Sequence, residues 1–323
     1  MIKNKQDIFD GHGKTTVNVL LADAGMGDHI CGLVAIDYIL KYQPHLLPLI
    51  WVPDYLLDLA KNVLPDDAIV RNYTEAIKKY DNDRTGISTT CTGRHSPMRT
   101  HPVDYAFHML CDSHVDYKDK NYLKVKFDRV DITEFNLPEK YVVIQATAAE
   151  KVKTMPVNTT NAIIDYVIGK GYTPVFVGKN EMSVGVVNQK MKSTTLDINL
   201  DKGINIINKT SMLQTAKIIE ESKAFIGMDG GTTHIAGCTN APIVVGYTFI
   251  DPSHNLPIRN NELGWNCYTV VPDESLNCRF CQTWGTLLYD WDFRECHQEK
   301  ENKFECVKHI TADKFIKHLD NIL

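Results

Sequence analysis

Short apolar runs alternate along the chain with longer segments whose apolar residues recur at helical spacing. In the first half, apolar runs at Val17–Ala22, Leu49–Val52 and Ala68–Val70 predict buried strands. An apolar helical stripe that starts at Ile30 lies between the first two runs, and Tyr55–Val63 predicts a helix before the third. Strands that alternate with helices in this way are typical of parallel sheets covered by helices on both faces.

The same alternation begins again in the second half. The predicted elements there are, in order, strand Tyr141–Gln145, helix Asn158–Lys170, strand Pro174–Gly178, helix Met212–Ser222, strand Ala224–Met228, a short helix from Thr233 and strand Pro242–Tyr247. Two such units predict a doubly wound α/β protein. In such folds ligands bind beyond the carboxyl ends of the strands, so we expect a ligand cleft between the units.

A polar stretch that ends at Leu137–Lys140 separates the two units and is the candidate linker. We therefore expect one domain over residues 1–137 and a second over residues 138–323. This division agrees with a length of 323 residues, which is more than one hydrophobic core usually serves. From about Asp81 to Pro102 the sequence is polar and rich in threonine, which predicts a long loop of the kind that often contacts a substrate.

Composition and charge are those of an ordinary globular protein. Hydrophobic residues make up 43% of the chain, charged residues 23%, and the formal net charge is −5. This acidic balance gives no general reason to expect nucleic acid or an anionic membrane as a partner. No apolar run reaches the roughly 18 residues of a membrane helix, and the first residues lack the apolar core of a secretory signal. We therefore expect no membrane span and a cytoplasmic location.

The most informative local sequence follows the predicted strand Ala224–Met228. The segment Asp229–His234 separates that strand from a helix and contains two adjacent glycines. Glycines let the backbone approach a ligand, and the helix offers unpaired N–H groups and the positive end of its dipole to an anion. Thr232 and Thr233 are candidate N-caps whose hydroxyls can also donate, and His234 in the first turn can reach the same place. This layout predicts a diphosphate site, the alternative being an ordinary Asp-Gly-Gly turn.

A second glycine-rich turn, Gly25–Asp28, follows the first predicted strand and opens the first predicted helix. An aspartate at a helix N-terminus usually caps the helix and stabilises it by about 1 kcal/mol. The alternative is that Asp28 is a general base, because the carboxyl end of a strand is a rigid platform that can hold a carboxylate within hydrogen-bond reach of a substrate hydroxyl. The residues alone leave both interpretations open.

Charged residues also follow two predicted strands of the second half. Lys151 and Lys153 come after Tyr141–Gln145, where a lysine is well placed to neutralise a diphosphate, although most loop lysines only solvate the surface. Glu181 follows Pro174–Gly178 and is a candidate acceptor for a ribose or sugar hydroxyl, the alternative being a solvated helix start. We predict that Lys153 and Glu181 contribute to a donor site.

Nine cysteines are present, and four of them fall in one short, loop-rich stretch near the C-terminus, namely Cys278, Cys281, Cys296 and Cys306. The two-residue gap between the first pair lets both thiolates of one turn reach the same ion, and the later two can complete a tetrahedron around zinc or iron. Since four thiolates leave no open coordination position, such a metal is structural. The alternatives are buried free thiols, disulfides, or a nearby histidine in place of one cysteine.

Taken in order, these motifs resemble glycosyltransferase family 9, the heptosyltransferase-like enzymes. The resemblance lies in the Gly25–Asp28 turn, the Lys153–Pro156 segment and the Asp229–His234 loop, and it continues through the loop Thr248–Pro252. It covers most of the second half and the start of the first half. Residues 71–135 carry no part of it.

The resemblance implies a GT-B architecture of two Rossmann-like domains facing a central cleft, an N-terminal acceptor domain and a C-terminal donor domain. It implies inverting transfer of a sugar, a heptose or a similar one, from a nucleotide-diphosphate sugar to an acceptor hydroxyl, with no catalytic divalent metal. Asp28 matches the family's general base, and Lys153 matches the lysine that holds the donor phosphate. The family's donor loop is matched or lined by Asp229, Gly230, Gly231, Thr232, Thr233 and His234.

Two departures from the family pattern bear on the donor. Gly230 stands where the family usually has serine or threonine, and Met155 stands where an aromatic residue is common, so the donor can be ADP-heptose or another nucleotide sugar. The cysteine cluster also resembles one in a protein O-heptosyltransferase branch that carries iron, which leaves both zinc and iron as candidates.

The residues give the least information about the acceptor and the partners. A glycan, a protein and a modified nucleic-acid base all remain as acceptors, and a homo-oligomer is a further expectation. Two other functions remain as alternatives. One is a transferase that uses a different nucleotide-sugar donor on a protein or nucleic-acid acceptor, and the other is a non-catalytic assembly or binding protein on the same scaffold.

Overall fold

A computed structural model describes most of the chain and divides it into two compact units. The described residues are 15–21, 25–42, 46–72, 87–88, 123–184, 189–260, 262–281, 296, 298 and 303–323. Among them, unit 1 contains those up to Arg129 and those within 182–190 and 257–265, and unit 2 contains the rest. The expected division into an acceptor domain and a donor domain after residue 137 stays a prediction.

The elements of both units are numbered here in chain order. The strands are β1 (Thr15–Leu20), β2 (Leu46–Val52), β3 (Ile69–Asn72), β4 (Ile87–Ser88), β5 (Tyr141–Gln145), β6 (Thr147–Ala148), β7 (Thr173–Val177), β8 (Glu181–Val184), β9 (Gln189–Lys192), β10 (Thr194–Thr195), β11 (Ile204–Asn205), β12 (Phe225–Met228), β13 (Ile243–Gly246), β14 (Ile258–Arg259), β15 (Glu262–Leu263) and β16 (Cys267–Val270). The α-helices are α1 (Met26–Tyr42), α2 (Leu57–Val63), α3 (Val157–Gly169), α4 (Met212–Glu220), α5 (Gly231–Gly237), α6 (Glu305–Lys308) and α7 (Ala312–Leu319). Short 3₁₀ turns cover Asp54–Leu56, Thr133–Phe135, Lys151–Lys153, Leu200–Lys202 and Pro252–His254.

In unit 1 strands β1 to β4 form a parallel sheet in the order β3-β2-β1-β4, and β14 and β15 form a separate antiparallel pair. Its register places Val19 of β1 opposite Ile50 of β2 on one side and opposite Ile87 of β4 on the other. Strand β4 corrects part of the expectation that Asp81–Pro102 is a loop, because Ile87–Ser88 pairs with β1. The rest of that segment lies outside the described residues.

In unit 2 six strands form a parallel sheet in the order β11-β7-β5-β12-β13-β16. Counted along the chain, this is the order 3-2-1-4-5-6 of a Rossmann domain. The central strands are apolar on both faces, with Val142, Val143 and Ile144 of β5 all 0% exposed, because the sheet is covered on both sides. The predicted α/β architecture is confirmed in both units.

Most predicted helices and strands of unit 2 are found with their ends moved by one or two residues. Helix α3, for example, ends at Gly169, and Gly171 follows in the left-handed conformation with a φ of 83°. The amide of Tyr172 donates to the carbonyl of Val167 at 3.1 Å, which closes the helix end. The sequence interpretation missed β16, whose side chains are mostly only half-buried and therefore give a weak apolar signal.

No helix among the residues that the structure describes is both long and apolar enough to cross a lipid bilayer.

Candidate functional site

The strand order of unit 2 reverses between β5 and β12, and this reversal positions the candidate site. The chain segments that follow two such neighbouring strands turn to opposite sides. This leaves a crevice outside the carboxyl ends of the strands, where ligands of α/β proteins bind. The segment after β5 contains the Lys151–Lys153 turn, and the segment after β12 is Asp229–Gly230. The sheet therefore brings together two of the regions that the sequence predicted for the donor.

Lys153 and Asp229 form an ion pair at this reversal. The Lys153 Nζ atom lies 3.1 Å from Oδ2 of Asp229, and the two side chains are 17% and 3% exposed. The second carboxylate oxygen of Asp229 accepts a hydrogen bond from the Asn255 side-chain amide at 2.5 Å. The buried carboxylate thereby has a partner at each oxygen, while the Lys153 side chain stays partly exposed.

Helix α5 starts next to this pair, and its start corrects one detail of the sequence analysis. The N-cap is Gly230, with no side-chain cap, and the helix begins at Gly231, so Thr232 and Thr233 are not N-caps. Gly230 has extended backbone with a φ of 167°. A Cβ atom built on it would find its nearest neighbours at 3.8 Å, on Gln145 and Met228. An added Cβ atom would therefore make ordinary van der Waals contacts, so the backbone here does not require a glycine.

The remaining loop residues differ in what their side chains do. The Thr233 hydroxyl is buried and donates its single proton to the Met228 carbonyl at 2.8 Å, so it fixes the turn. Thr232 is half-buried. His234 is 4% exposed, and its carbonyl accepts a hydrogen bond from the Cys238 thiol at 3.5 Å. Of the two threonines predicted to donate, Thr232 is therefore the better placed to offer a hydroxyl to a ligand.

Polar residues that the sequence interpretation missed complete this part of unit 2. Gln145, at the end of β5, accepts from the Met228 amide at 3.3 Å and donates to the Thr147 carbonyl at 3.1 Å. Glu150 precedes the lysine turn, and its Oε2 atom is buried without a hydrogen-bond partner among the described residues. A glutamine that ends an otherwise apolar strand was the available signal for the first of these. No sequence signal pointed to Asn255, because only the fold brings this residue close to Asp229.

Met155 and Glu181 lie outside the Asp229–His234 loop and were also singled out from the sequence. Met155 is 1% exposed and belongs to the main core of unit 2, so its side chain fills the interior. Glu181 opens β8, and its side chain lies outside what the structure describes. The predicted role of Glu181 at a sugar or ribose hydroxyl therefore stays a prediction.

Asp28 lies in unit 1, in the first turn of α1 just beyond β1. Its Oδ2 atom accepts a hydrogen bond from the Gly25 amide at 3.0 Å, so the carboxylate closes the turn that leads into the helix. The side chain is only half-buried. One backbone hydrogen bond leaves acceptor sites on a carboxylate, so capping and action as a base are compatible.

Two aromatic neighbours support the turn that holds Asp28. The His29 ring is fully buried, and its Nδ1 atom lies 2.7 Å from the Tyr55 hydroxyl oxygen. Burial and then the negative charge of Asp28 raise the pKa of Tyr55 well above its usual range. A neutral, hydrogen-bonded phenol thus lies within the electrostatic reach of the candidate base.

The four clustered cysteines are close enough to influence one another. Burial, followed by the neighbouring thiols of Cys281, Cys278 and Cys296, raises the pKa of Cys306 to about 12. The amide of Phe304 donates to the sulfur of Cys296 at 3.2 Å. A group of adjacent thiols with an amide donor to sulfur is a suitable donor set for a soft metal.

Two further findings qualify this donor set. Among the described residues, no three His, Cys, Asp or Glu side chains converge closely enough to hold a metal ion. All four cysteines are thiols rather than halves of disulfides. The chemistry of the donor set therefore fits zinc or iron, whereas the arrangement of the four side chains is looser than that of ligands on one ion.

Comparison with known structures identifies GT-B glycosyltransferases as similar in fold. The dodecameric iron-containing heptosyltransferase TibC in complex with ADP-D-β-D-heptose matches with a TM-score of 0.66 and 15% identity over 96% of this chain and 76% of that one. A family 9 glycosyl transferase from Veillonella parvula matches with a TM-score of 0.61 and 14% identity, over 100% and 99% of the two chains. The Escherichia coli ADP-heptose LPS heptosyltransferase II matches with a TM-score of 0.56 and 12% identity, over 95% and 98%.

The comparison of the sequence with curated proteins found no match. The sequence profile of glycosyltransferase family 9 (heptosyltransferase), in contrast, matches residues 80–280, which is more than half of the chain. It spans the lysine turn, the Asp229–His234 loop and the first cysteine of the cluster. Unit 2 has the Rossmann strand order, the fold is GT-B, and the family profile matches more than half of the chain. The chain therefore belongs to glycosyltransferase family 9, the heptosyltransferase-like enzymes.

Proposed function

We propose that this glycosyltransferase moves a sugar from a nucleotide-diphosphate sugar to an acceptor hydroxyl with inversion at the anomeric carbon. The observation that carries the proposal is the Lys153–Asp229 pair at the strand-order reversal of unit 2, with the lysine still partly open to solvent. ADP-heptose is the first donor to test, because the similar structure of TibC is a complex with ADP-D-β-D-heptose. Because Gly230 and Met155 depart from the family pattern, a different nucleotide-sugar donor is the alternative.

The donor half of the reaction needs positive charge where the diphosphate leaves. Lys153 supplies a formal charge, and the first backbone amides of α5 supply partial charges from the helix N-terminus. Asp229 would repel a diphosphate if it faced one, so its contribution is to hold the lysine in place together with Asn255. These groups stabilise the negative charge that develops on the diphosphate in the transition state.

The acceptor half of the reaction needs a base, and we propose Asp28. The carboxylate takes the proton from the acceptor hydroxyl as the hydroxyl oxygen forms a bond to the anomeric carbon. The bond from that carbon to the diphosphate breaks on the opposite side, and the diphosphate leaves with the electron pair. Configuration is inverted, and no step uses a metal ion.

The Asp28→Asn substitution tests the base directly, because an asparagine oxygen can still accept the hydrogen bond from the Gly25 amide. We expect turnover to fall by roughly 10²–10⁴-fold, the usual contribution of a general base, with donor affinity within a few fold of wild type. Asp28→Ala is the control, since it removes the hydrogen bond as well and should also lower the melting temperature. Near-normal turnover in Asp28→Asn would remove Asp28 from the mechanism.

Lys153→Met tests the phosphate role with a neutral side chain of similar length. We expect the Kd for the donor or its nucleoside diphosphate to rise about tenfold or more, because one ionic contact to phosphate is lost. Lys151→Met, in the same 3₁₀ turn, is the matched control and should change the Kd little. Equal effects of the two substitutions would contradict a specific role for Lys153.

For the cysteine cluster we propose a structural zinc or iron bound by Cys278, Cys281, Cys296 and Cys306. The adjacent thiols support this, as does the similarity in fold to TibC, an iron-containing heptosyltransferase. Such a metal would supply folding energy rather than chemistry. Elemental analysis of the purified protein should find about one metal ion per chain, reduced in Cys306→Ser and retained in Cys267→Ser, which lies outside the cluster. A metal-free, folded wild type would contradict it.

The acceptor and the assembly belong to the same proposal. A protein, a glycan and a modified nucleic-acid base all present hydroxyl groups that the mechanism above can use. We also propose a homo-oligomer, since TibC is dodecameric, and mass photometry of the purified protein tests it. The cytoplasmic location expected from the sequence stays a prediction.

A further inference from the structure

A small apolar cluster lies directly behind the lysine turn and is separate from the main core of unit 2. It consists of Val152, Phe249 and Ile250, which are 6%, 3% and 9% exposed, with Cys281 and Phe304 packed against it. We call these five residues the buttress. Its members come from three parts of the chain: the turn that carries Lys153, the loop after β13 and the cysteine-rich stretch.

Hydrogen bonds join the same three parts. The hydroxyl of Thr248 donates to the carbonyl of Val152, which immediately precedes Lys153. The amide of Phe280 donates to the carbonyl of Thr248 at 3.1 Å. A short, buried path of hydrogen bonds therefore runs from the cysteine-rich stretch to the lysine turn.

Both lysines of the turn lie over aromatic rings of the buttress. The Nζ atom of Lys153 is 5.5 Å from the ring centre of Phe249, and that of Lys151 is 5.4 Å from the ring centre of Phe304. These distances are within the range of a cation–π attraction. The position of the Lys153 ammonium is thus set on one side by Asp229 and on another by Phe249.

The backbone of the cysteine-rich stretch is bent at the points where it meets the buttress. Phe280 and Phe304 both have left-handed backbone, with φ values of 56° and 60°. Bulky residues rarely adopt this conformation, and it persists only where the surrounding contacts over-determine it. The amide of Phe280 donates to the Thr248 carbonyl, and the ring of Phe304 lies beside Lys151. Both bends therefore serve contacts with the lysine turn or with the loop after β13.

We propose that Phe249 and Phe304 are positioning residues for the donor site, and that the described part of the cysteine-rich stretch acts on donor affinity by holding Lys153. This rests on the proposed function, in which Lys153 binds the diphosphate. Phe249 acts on Lys153 directly, whereas Phe304 acts by packing against the cluster that contains Val152 and Phe249, and its contact with Lys151 has no part in this. Neither ring contacts the donor. Loss of the buttress therefore weakens binding only while the lysine is present.

A double-mutant cycle tests this with nucleoside diphosphates as probes. The Kd for the tightest of ADP, GDP, UDP and CDP is measured by calorimetry for wild type, Phe249→Leu, Phe304→Leu, Lys153→Met and the two doubles with Lys153→Met. We expect each phenylalanine variant to weaken binding about three- to tenfold in the wild-type background and not at all in the Lys153→Met background. Phe315→Leu is the matched control, because Phe315 is 0% exposed in the main core. It should lower the melting temperature and leave the Kd unchanged.

The outcomes separate this inference from the proposed function. Equal losses with and without Lys153, or no loss in Phe304→Leu, would overturn the positioning role while leaving the donor site intact. No binding of any probe to wild type, or an unchanged Kd in Lys153→Met, would overturn the donor site and the inference with it. Should Phe249→Leu fail to fold, Phe304→Leu decides alone, since Phe304 is only half-buried.

Discussion

At the scale of single residues, the candidate donor site depends on one buried charge and its compensation. Asp229 is 3% exposed, and a carboxylate in such a place is stable only with close partners. Lys153 and Asn255 supply them, one to each oxygen. The same contacts hold the Lys153 side chain in place and leave it partly exposed, as the proposed contact with a diphosphate requires.

Gly230 follows Asp229 in the chain, and a comparison with Gly203, a second glycine with extended backbone, tests how much room a side chain has there. A Cβ atom at Gly230 would meet nothing closer than 3.8 Å, whereas one at Gly203 would lie 2.3 Å from the Pro174 carbonyl oxygen. We expect Gly230→Ala to be neutral or stabilising by up to about 1 kcal/mol, because it only restricts the unfolded chain. Gly203→Ala should destabilise by about 1–3 kcal/mol through overpacking. Urea unfolding of both variants checks this, and equal destabilisation would mean that Gly230 is crowded.

At the scale of elements, local sequence signals account for where the helices of unit 2 begin and end. Helix α4 starts with a capping box, in which the Ser211 hydroxyl accepts from the Gln214 amide at 3.1 Å and the Gln214 side chain accepts from the Ser211 amide at 3.0 Å. Helix α3 is followed by Gly171 in the left-handed conformation. Caps of this kind are encoded within a few residues, which is why the helix positions could be predicted from the sequence.

Removing the cap of α4 has a predictable cost. Ser211→Ala loses the hydroxyl that satisfies the Gln214 amide, and we expect a loss of about 1 kcal/mol in the free energy of unfolding. Ser211→Asp keeps an acceptor at the N-cap and should stay within about 0.5 kcal/mol of wild type. Chemical denaturation of the two variants measures the difference, and an alanine variant as stable as the aspartate variant would speak against the cap.

A pH-dependent contact joins the end of α7 to α3. The Tyr166 hydroxyl donates to Oδ1 of Asp320 at 2.5 Å, and Lys170 Nζ lies 3.1 Å from the same oxygen. These contacts, the tyrosine hydrogen bond first, hold the pKa of Asp320 below its usual range. Since its pKa is lower in the folded state, the group stabilises the fold above its unfolded pKa of about 4 and loses this effect as the pH falls further.

The Asp320→Asn variant checks the direction of this effect. We expect wild type to be more stable than the variant at pH 7 and pH 5, with the difference shrinking below about pH 4 and vanishing at lower pH. Urea unfolding at these pH values measures it, with Asp67→Asn at an exposed position as the control. A difference that grows as the pH falls would have the wrong sign.

At the scale of the whole molecule, the two units share one feature of sheet topology. The larger sheet of each unit is parallel and reverses its strand order beside its first strand, at β1 in unit 1 and at β5 in unit 2. The two proposed functional regions follow the strands that flank these reversals, with Asp28 after β1, Lys153 after β5 and Asp229 after β12. A doubled Rossmann pattern thus gives one unit for the proposed base and one for the proposed donor.

This division predicts where a nucleotide protects the backbone. In hydrogen exchange measured by mass spectrometry, a saturating nucleoside diphosphate should slow exchange in residues 146–156 and 229–237 of unit 2. Peptides from β2 and β3 of unit 1 should exchange as before, because the proposed contacts to the diphosphate all lie in unit 2. The Lys153→Met variant at the same nucleotide concentration is the control and should show less protection. Protection confined to unit 1 would contradict the donor assignment.

The sequence by itself determined the alternation of strands and helices, the glycine loop before α5, the lysine turn and the cysteine cluster. Each of these features is a hydrophobic periodicity or a short motif, so it depends only on residues that are close together in the sequence. The tertiary structure decided which of them meet. Asn255 and Lys153 reach Asp229 because the parallel register of β5, β12 and β13 places distant loops side by side.

The same reason explains the other details that only the fold could show. Thr233 uses its hydroxyl inside the turn, Met155 fills the core, and Phe249 and Phe304 lie beside the lysines. Each of these facts is a contact between residues brought together by the sheet and its connections. No local pattern encodes such a contact, because the free energy that selects it comes from packing the unit as a whole.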